Sequence, residues 1–451
     1  MTDIAVFGVP LLALVGFCIA AYAIVANDVI QTLGTFLASN AKRPWVVLWA
    51  FASSIIVAVM LYGWFGYDGD IAYDRLNSIP YPEGGIQWWH VLPPLVLLVL
   101  TRFGIPVSTT FLVLTIFTLT GGVATAGVLG SMMVKSLLGY LVAFAAGAVL
   151  FGLISRSFEK WVFKSEVEDH SGAWWSIPGV ALLVCVLVYL LTQGPTLPDL
   201  ASLNFIAIAI TVIAAVGIAI ATNRFNTWFV LQWLSTGFLW SQWLMQDLAN
   251  IFVYLPRETV VTASGDVQVS FSIGLLIFAT LLMVALHAII FAIRGGEIQK
   301  IVLSKTNTVD VRSATIVDFA FGIILMYFKE INDIPMSTTW VFLGLLAGRE
   351  LAISVVANLR SKGEAAFDVA TDIVRAGIGL VISVAMALSL PFLATGDWPD
   401  IGQALFGADA PVVDEPVLEE ERADPAPAGA SDAGPEGASG DASGGASGGG
   451  R

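Results

Sequence analysis

Charge is scarce in this chain. Asp, Glu, Lys and Arg make up 12% of its 451 residues, roughly half the share of a soluble domain, which excludes an ordinary water-soluble globule. Cysteine is scarcer still. Cys18 and Cys185 stand singly inside apolar runs, where a thiol behaves as a small hydrophobe, so neither a disulfide framework nor a cysteine metal site is expected. Of the three histidines, His90 and His287 lie in or near apolar segments and His170 lies in a loop; none is expected to be a ligand. No basic patch exists, and acidic residues outnumber basic ones 35 to 21, which argues against nucleic acid as a partner. What the chain has instead is apolar surface. With 57% apolar residues, a mean hydropathy of +0.82 and apolar runs of about twenty residues, it reads as an all-α polytopic membrane protein whose surroundings are the lipid bilayer.

The net charge of -14 is unevenly placed. Residues 408–451 hold ten acidic and two basic residues, so the body before them is only -6. This Gly-, Ala-, Ser- and Pro-rich tail, taken with its approach as 397–451, cannot bury enough apolar surface to offset ordering entropy and is expected to be disordered. The first apolar run, 4–26, lacks a basic n-region and exceeds a signal-peptide core, so it reads as a retained membrane helix.

Cutting the apolar windows at charges, Gly, Pro and loops gives about twelve helical segments: 4–26, 45–66, 88–101, 111–129, 133–154, 173–192, 204–222, 228–254, 271–293, 314–328, 340–357 and 374–394. Segments 88–101 and 314–328 are short for a bilayer and each leads to a proline, so both read as half-helices. Lys and Arg cluster at 42–43, 156–164, 224, 294–312 and 360–362, whereas loops 67–87, 193–203 and 255–270 hold only Arg75 and Arg257. The first set is expected in the cytoplasm and the second outside, with both termini on the non-cytoplasmic side of the cell membrane. Parity then makes 88–129 and 313–357 broken or re-entrant hairpins that enter from opposite faces. The result is two inverted-topology repeats, 1–157 and 226–396, joined by a loop and two helices in 158–225, an arrangement common in secondary transporters.

Polar motifs repeat with the architecture. Asn27-Asp28-Val29-Ile30-Gln31 is matched by Gln246-Asp247-Leu248-Ala249-Asn250. In each, a carboxamide precedes the carboxylate and another follows three residues later on nearly the same helix face. An ionised carboxylate in hydrocarbon costs at least ~2.5 kcal/mol, so such residues usually face a cavity or an ion; the bland alternative is a helix-end aspartate at the water boundary. The second pair is Pro106-Val107-Ser108-Thr109-Thr110 and Pro335-Met336-Ser337-Thr338-Thr339, 80 and 90 residues from aspartate to serine. Proline stops one helix, the hydroxyls cap the next, and free N–H groups at a positive helix end suit an oxyanion. Capping alone is the structural alternative.

Ala26-Asn27-Asp28-Val29, with Gly34 and Thr35 after it, and Gly104 to Thr110 resemble the inorganic phosphate transporter (PiT) family, which carries a G-A-N-D-V-A-N-A-like and a G-[IL]-P-V-S-T-T-H-like motif in each of two inverted repeats. The second copy is more degenerate: Gln246 replaces asparagine, Asp333 replaces glycine, and Phe111 and Trp340 stand where the family has histidine. The resemblance spans 4 to about 395 in architecture and makes this a divergent member. It implies a symporter of phosphate or a related tetrahedral oxyanion driven by sodium or protons, with no further cofactor. It implies that Asn27, Asp28, Gln31 and Asp247 bind cations, with Na+ at Asp28 and Asp247. Ser108, Thr109, Thr110, Ser337, Thr338, Thr339, Gln246 and Asn250 would bind the anion. Charge requires such coupling, because two carboxylates would repel a divalent oxyanion by several kcal/mol at low dielectric.

Arg102 and Lys329 end the short helices, where a cation suits the C-terminal dipole; direct anion contact is the alternative. Arg349 and Glu350 are expected to pair with other helices. Asp318, Glu330 and Asp333 make the second hairpin the more acidic, which fits an extra cation or proton site. Competing functions are a sulfate permease-like proton-coupled transporter, an uncoupled anion channel or sensor, and an intramembrane aspartyl protease. The last lacks Y-D and G-x-G-D contexts around Asp28 and Asp247, and an H-E-x-x-H signature is absent from the chain. A homodimer stays open beside a monomer, since nothing in the sequence fixes the oligomeric state.

Overall fold

A computed structural model describes residues 5–6, 9–82, 84–120, 128–165, 227–261, 267–331, 336–396 and 398. The expected segments 173–192 and 204–222, most of the connecting region and the acidic tail lie outside the described residues. Contacts divide the chain into Met1–Ala408 and Asp409–Arg451, and all that follows concerns the first unit.

The described chain is mostly helical and contains seven helices long and apolar enough to cross a membrane, so the membrane class read from composition holds. In order these are α1 (Leu11–Ser39), α2 (Trp45–Gly66), two shorter helices α3 (Trp88–Arg102) and α4 (Thr110–Leu119), and α5 (Leu129–Lys164). Next come α6 (Thr227–Asp247), α7 (Ala249–Phe252), α8 (Ile273–Ala292) and α9 (Gln299–Leu303). The last are α10 (Val311–Lys329), α11 (Thr338–Ala357) and α12 (Lys362–Thr395). Two small antiparallel pairs, Ala5–Val6 with Val9–Pro10 and Glu258–Val261 with Val267–Ser270, decorate loops.

Several boundaries differ from the apolar windows, each for a local reason. Helix α1 begins at Leu11, after Pro10, because the residues before it pair as strands. It then continues through the Asn27-Asp28 motif to Ser39 by way of a π-helical turn at Val25–Val29, a wide turn often found at functional sites. Helix α10 has 19 residues, enough to span and longer than the half-helix expected there. Helix α5 runs past residue 157 to Lys164 by way of a π-helical turn at Ser155–Glu159. Helix α6 is 21 residues long but interrupted by Gln232, Thr236, Gln242, Gln246 and Asp247, all buried, so its polarity faces protein.

Helix starts follow capping chemistry. Ser272, Asp310 and Ser361 accept backbone N–H groups at the starts of α8, α10 and α12, satisfying donors that a helix leaves free. The helices pack in pairs, α5 against α11, α6 against α10 and α8 against α2. The α5–α11 contact is made by glycine. A Cβ at Gly344 would overlap the carbonyl oxygen of Tyr140, one at Gly348 that of Phe144, and one at Gly147 that of Leu345. Small residues four apart let backbones touch, which is how membrane helices associate when lipid is as apolar as leucine.

Loops gather in two separate groups. Arg294 Nη2 donates to the Arg43 carbonyl at 2.6 Å, Arg312 Nη1 to Ser165 Oγ at 2.6 Å, and Arg360 Nη1 to the Ser304 carbonyl at 3.2 Å. These join the Lys- and Arg-rich loops to one another. The charge-poor loops form the other group: Arg257 Nη2 donates to the Ile79 carbonyl at 2.6 Å, Phe271 N to the Gly69 carbonyl at 3.0 Å and Val269 N to Asn77 Oδ1 at 3.2 Å. The first group closes over buried ions. Arg349 bridges Glu159 and Glu350 at 3.2 and 2.9 Å with all three side chains fully buried, and Arg360 reaches Glu350 at 3.5 Å. Arg349 and Glu350 thus pair across helices as expected.

Candidate functional site

The four polar motifs meet. Helix α1 brings Asn27 and Asp28, the end of α6 with α7 brings Gln246, Asp247 and Asn250, and the helix starts at α4 and α11 bring their Thr pairs. Exposure at these positions runs from 0% to 7%, so the cluster is interior to the bundle.

Each motif first binds the hairpin of its own half. Asn27 Nδ2 donates to the Val107 carbonyl at 2.9 Å, and Thr109 Oγ1 to Asp28 Oδ2 at 2.6 Å. In the same way Gln246 Nε2 donates to the Met336 carbonyl, and Thr338 Oγ1 to Asp247 Oδ2 at 2.8 Å. Val107 and Met336 occupy the same position after proline, and Thr109 and Thr338 the same position after serine. The second set of bonds crosses between halves. Thr110 Oγ1 donates to Asp247 Oδ1 at 3.3 Å and Thr339 Oγ1 to the Val107 carbonyl at 2.9 Å. Asn250 Nδ2 reaches Thr109 Oγ1, Thr110 Oγ1 and Asp247 Oδ1 at 2.9, 3.2 and 3.0 Å.

The serines do something else. Ser108 Oγ accepts from Phe111 N at 3.3 Å and Ser337 Oγ from Trp340 N at 3.5 Å, so both serines cap the helices that follow, through an oxygen lone pair that leaves the hydroxyl proton unused by the cap. Their burial among the motifs keeps their hydroxyls at the site's edge. Gly104, with φ +67°, supplies the left-handed turn that ends the first incoming helix, a conformation open mainly to glycine. Gly379 of α12 gives the following break its seat, since a Cβ there would stand 3.0 Å from the Pro106 carbonyl oxygen.

The orientation of three carboxamides is fixed by what their nitrogens touch. Asn27 Nδ2 faces a carboxylate oxygen at 2.5 Å and a carbonyl, Gln246 Nε2 a carbonyl, and Asn250 Nδ2 a carboxylate; all are acceptors, so the oxygens point elsewhere. Asn27 Oδ1, Gln246 Oε1 and Asn250 Oδ1 are buried with no hydrogen-bond partner, as are both amide atoms of Gln31. Buried polar atoms are rarely left so. Carbonyl, hydroxyl and carboxylate oxygens, without nitrogen or sulfur ligands, are the donor types that suit a hard cation. Asp28 and Asp247 lie near enough to repel, and the Arg75 guanidinium acts on Asp247 in the opposite sense.

Sequence reasoning brought eleven of the twelve candidate side chains into one bonded or capping cluster, with Gln31 beside it on the same helix face. It missed Arg75, which lies in a loop that folds inward: Asp70, Ile71, Ala72 and Leu76 are fully buried. It also missed Gln232 and Thr236, whose spacing of four on a helix that ends in Asp247 is a signal that was there to be read. Arg102 is exposed and Lys329 Nζ donates to the Tyr73 carbonyl at 3.4 Å, away from the motif bonds. Comparison of the chain with family models, with curated proteins and with solved structures finds no match.

Proposed function

We propose that this chain is a secondary active transporter that moves inorganic phosphate or a related tetrahedral oxyanion with sodium, by alternating access between two inverted-topology repeats. The observation that carries the reading is the matched bonding: each Asn/Gln-Asp motif holds its own P-x-S-T-T break through the same two positions. Equivalent contacts made by two sequence copies support an internal duplication, and the opposite charge bias of their flanking loops supports its inversion. The motif resemblance to the PiT family points the same way.

In this reading sodium ions sit among the unpartnered amide oxygens and the two carboxylates. They turn a repulsive pair into an electrostatically positive surface for the anion. Thr109, Thr110, Thr338 and Thr339 hold their protons on carboxylates or carbonyls before loading, and sodium, by taking over those oxygens, frees the hydroxyls for the oxyanion. Free N–H groups in the first turn of α11 and at the start of α4 add donors and a favourable dipole. The order cation first, anion second follows from that exchange. No bond of the substrate is broken.

The test is uptake of labelled phosphate and sulfate into proteoliposomes under separately imposed sodium and proton gradients. Asp28→Asn and Asp247→Asn are each expected to abolish concentrative uptake while inserting normally. Uphill transport retained by both variants would defeat the proposal, and uptake that follows only the proton gradient would replace sodium by protons.

A further inference from the structure

A second buried carboxylate lies outside the motif cluster. Asp318, in α10, is fully buried. Thr35 of α1 donates to its Oδ1 and Thr236 of α6 to its Oδ2, the latter at 2.5 Å, and the Gln232 side chain also hydrogen-bonds it. Among the described residues no ion pair includes Asp318.

The direction of these bonds can be traced. Asn40 Nδ2 donates to the Phe36 carbonyl and to Gln232 Oε1, both at 3.0 Å, while Asn40 Oδ1 receives Arg43 Nε at 3.2 Å and Trp233 Nε1 at 3.3 Å. Gln232 Oε1 is therefore an acceptor, and its Nε2 donates to Thr236 Oγ1 at 3.3 Å. Thr236 then has its proton left for Asp318. A chain that runs one way from Asn40 thus turns the Thr236 hydroxyl proton toward the carboxylate. An ionised carboxylate at this depth needs a positive partner.

A second observation says where that partner sits. Asp28, Gln31 and Thr35 fall on one face of α1, and Gln31 lies one turn from each of the others. Gln31 is 4% exposed, and both its amide atoms are without a hydrogen-bond partner. Asp28, which belongs to the central cluster, and Thr35, which bonds Asp318, are about 10 Å apart along the helix, and Gln31 stands between them in the chain.

We propose that Asp318 forms a second sodium site, separate from the central one, with Thr35, Thr236 and the Gln31 amide oxygen as its remaining ligands. Carboxylate, two hydroxyls and an amide oxygen give four hard donors of total charge minus one, which matches a monovalent ion and leaves too little charge for a divalent one. Gln31, reaching either way along α1, links the two sites. The contribution of this site to coupling rests on the transporter reading; its existence does not.

Binding of radiolabelled sodium to the purified, full-length protein in detergent, at mildly alkaline pH and without phosphate, tests it. The Asp28→Asn/Asp247→Asn variant is expected to keep saturable sodium binding, and adding Asp318→Asn is expected to remove it. Thr236→Val in the two-site background keeps the carboxylate and is expected to raise the half-saturating sodium concentration about tenfold, the scale of one charge-assisted bond; it serves if the triple variant does not elute as a single folded species. Equal binding by the double and triple variants, or unchanged affinity in the Thr236 variant, overturns the proposal. So does a double variant that binds no sodium, which would mean that a proton holds the place. A wild-type protein that binds neither phosphate nor sulfate would defeat the transporter reading while leaving these sodium measurements as they stand.

Discussion

A buried acid costs the fold something whatever its role, and Asp70 makes that cost measurable apart from transport. It sits in the inward-folded loop after α2 and accepts Ala72 N at 2.7 Å and Asp74 N at 2.6 Å. Burial nevertheless outweighs these bonds and pushes its pKa up to about 6, from an ordinary 3.8. A raised folded pKa means that the native loop holds the proton more tightly than the unfolded chain does. The stabilisation is thus full below about pH 4 and is lost as pH rises through about 6. Compared with Asp70→Asn, the wild-type protein is expected to lose up to about 3 kcal/mol of relative stability between pH 4 and pH 7. Melting curves of both proteins across that range check it, and a constant difference between them would show that the acid is not buried as described. Asp28 and Asp247 were legible from sequence because a carboxylate in an apolar run has no cheap explanation. Asp70 and Arg75 were not, because in a loop of mixed composition nothing marks which charges turn inward.

At the scale of elements, the apolar windows located helices well where polarity and burial agree. The window 45–66 coincides with α2, and 271–293 matches Ile273–Ala292 to within two residues. They erred where a helix continues past its apolar stretch. Helix α1 carries Asn27, Asp28 and Gln31 in its interior because those side chains face protein, and α12 starts at Lys362 with a Ser361 cap, well before its apolar window at 374. An apolar window cannot see such extensions, since it stops where polar residues begin, whether these are buried as in α1 or exposed as at the start of α12. Glycine contacts were also invisible as such, although Gly344 and Gly348 are spaced for them. Gly348→Ala is expected to force α5 and α11 apart and to cost about 1 to 3 kcal/mol, the usual range for overpacking. Gly152→Ala, where a Cβ meets nothing within 4 Å, is the matched control and is expected to be neutral or slightly stabilising. Thermal denaturation of the two variants in the same detergent checks the contrast.

For the whole molecule, the two groups of loops turn a statistical rule about lysine and arginine into a spatial partition. The loops that the rule assigns to one face do bond to one another, and so do those it assigns to the other. Which face is which remains a proposal, and labelling tests it. In a chain with Cys18 and Cys185 replaced by serine, Lys300→Cys is expected to react with a membrane-impermeant thiol reagent only after the cell membrane is opened. Glu258→Cys is expected to react in intact cells. The reverse pattern would turn the molecule over. The matched motifs were readable because both keep the same carboxamide, carboxylate and hydroxyl positions; the bonds between them were not, since they depend on how two distant segments meet.

Under the proposed alternating access, those cross-bonds are what must break. Among the described residues, the side-chain bonds that tie the first pair of motifs to the second come from Thr110, Thr339 and Asn250, whereas each Asp motif's grip on its own P-x-S-T-T segment uses a separate set. Hydroxyls and amides rehydrate with little penalty, so a rocking motion of the proposed kind would divide the molecule along that seam and leave the joints inside each half intact.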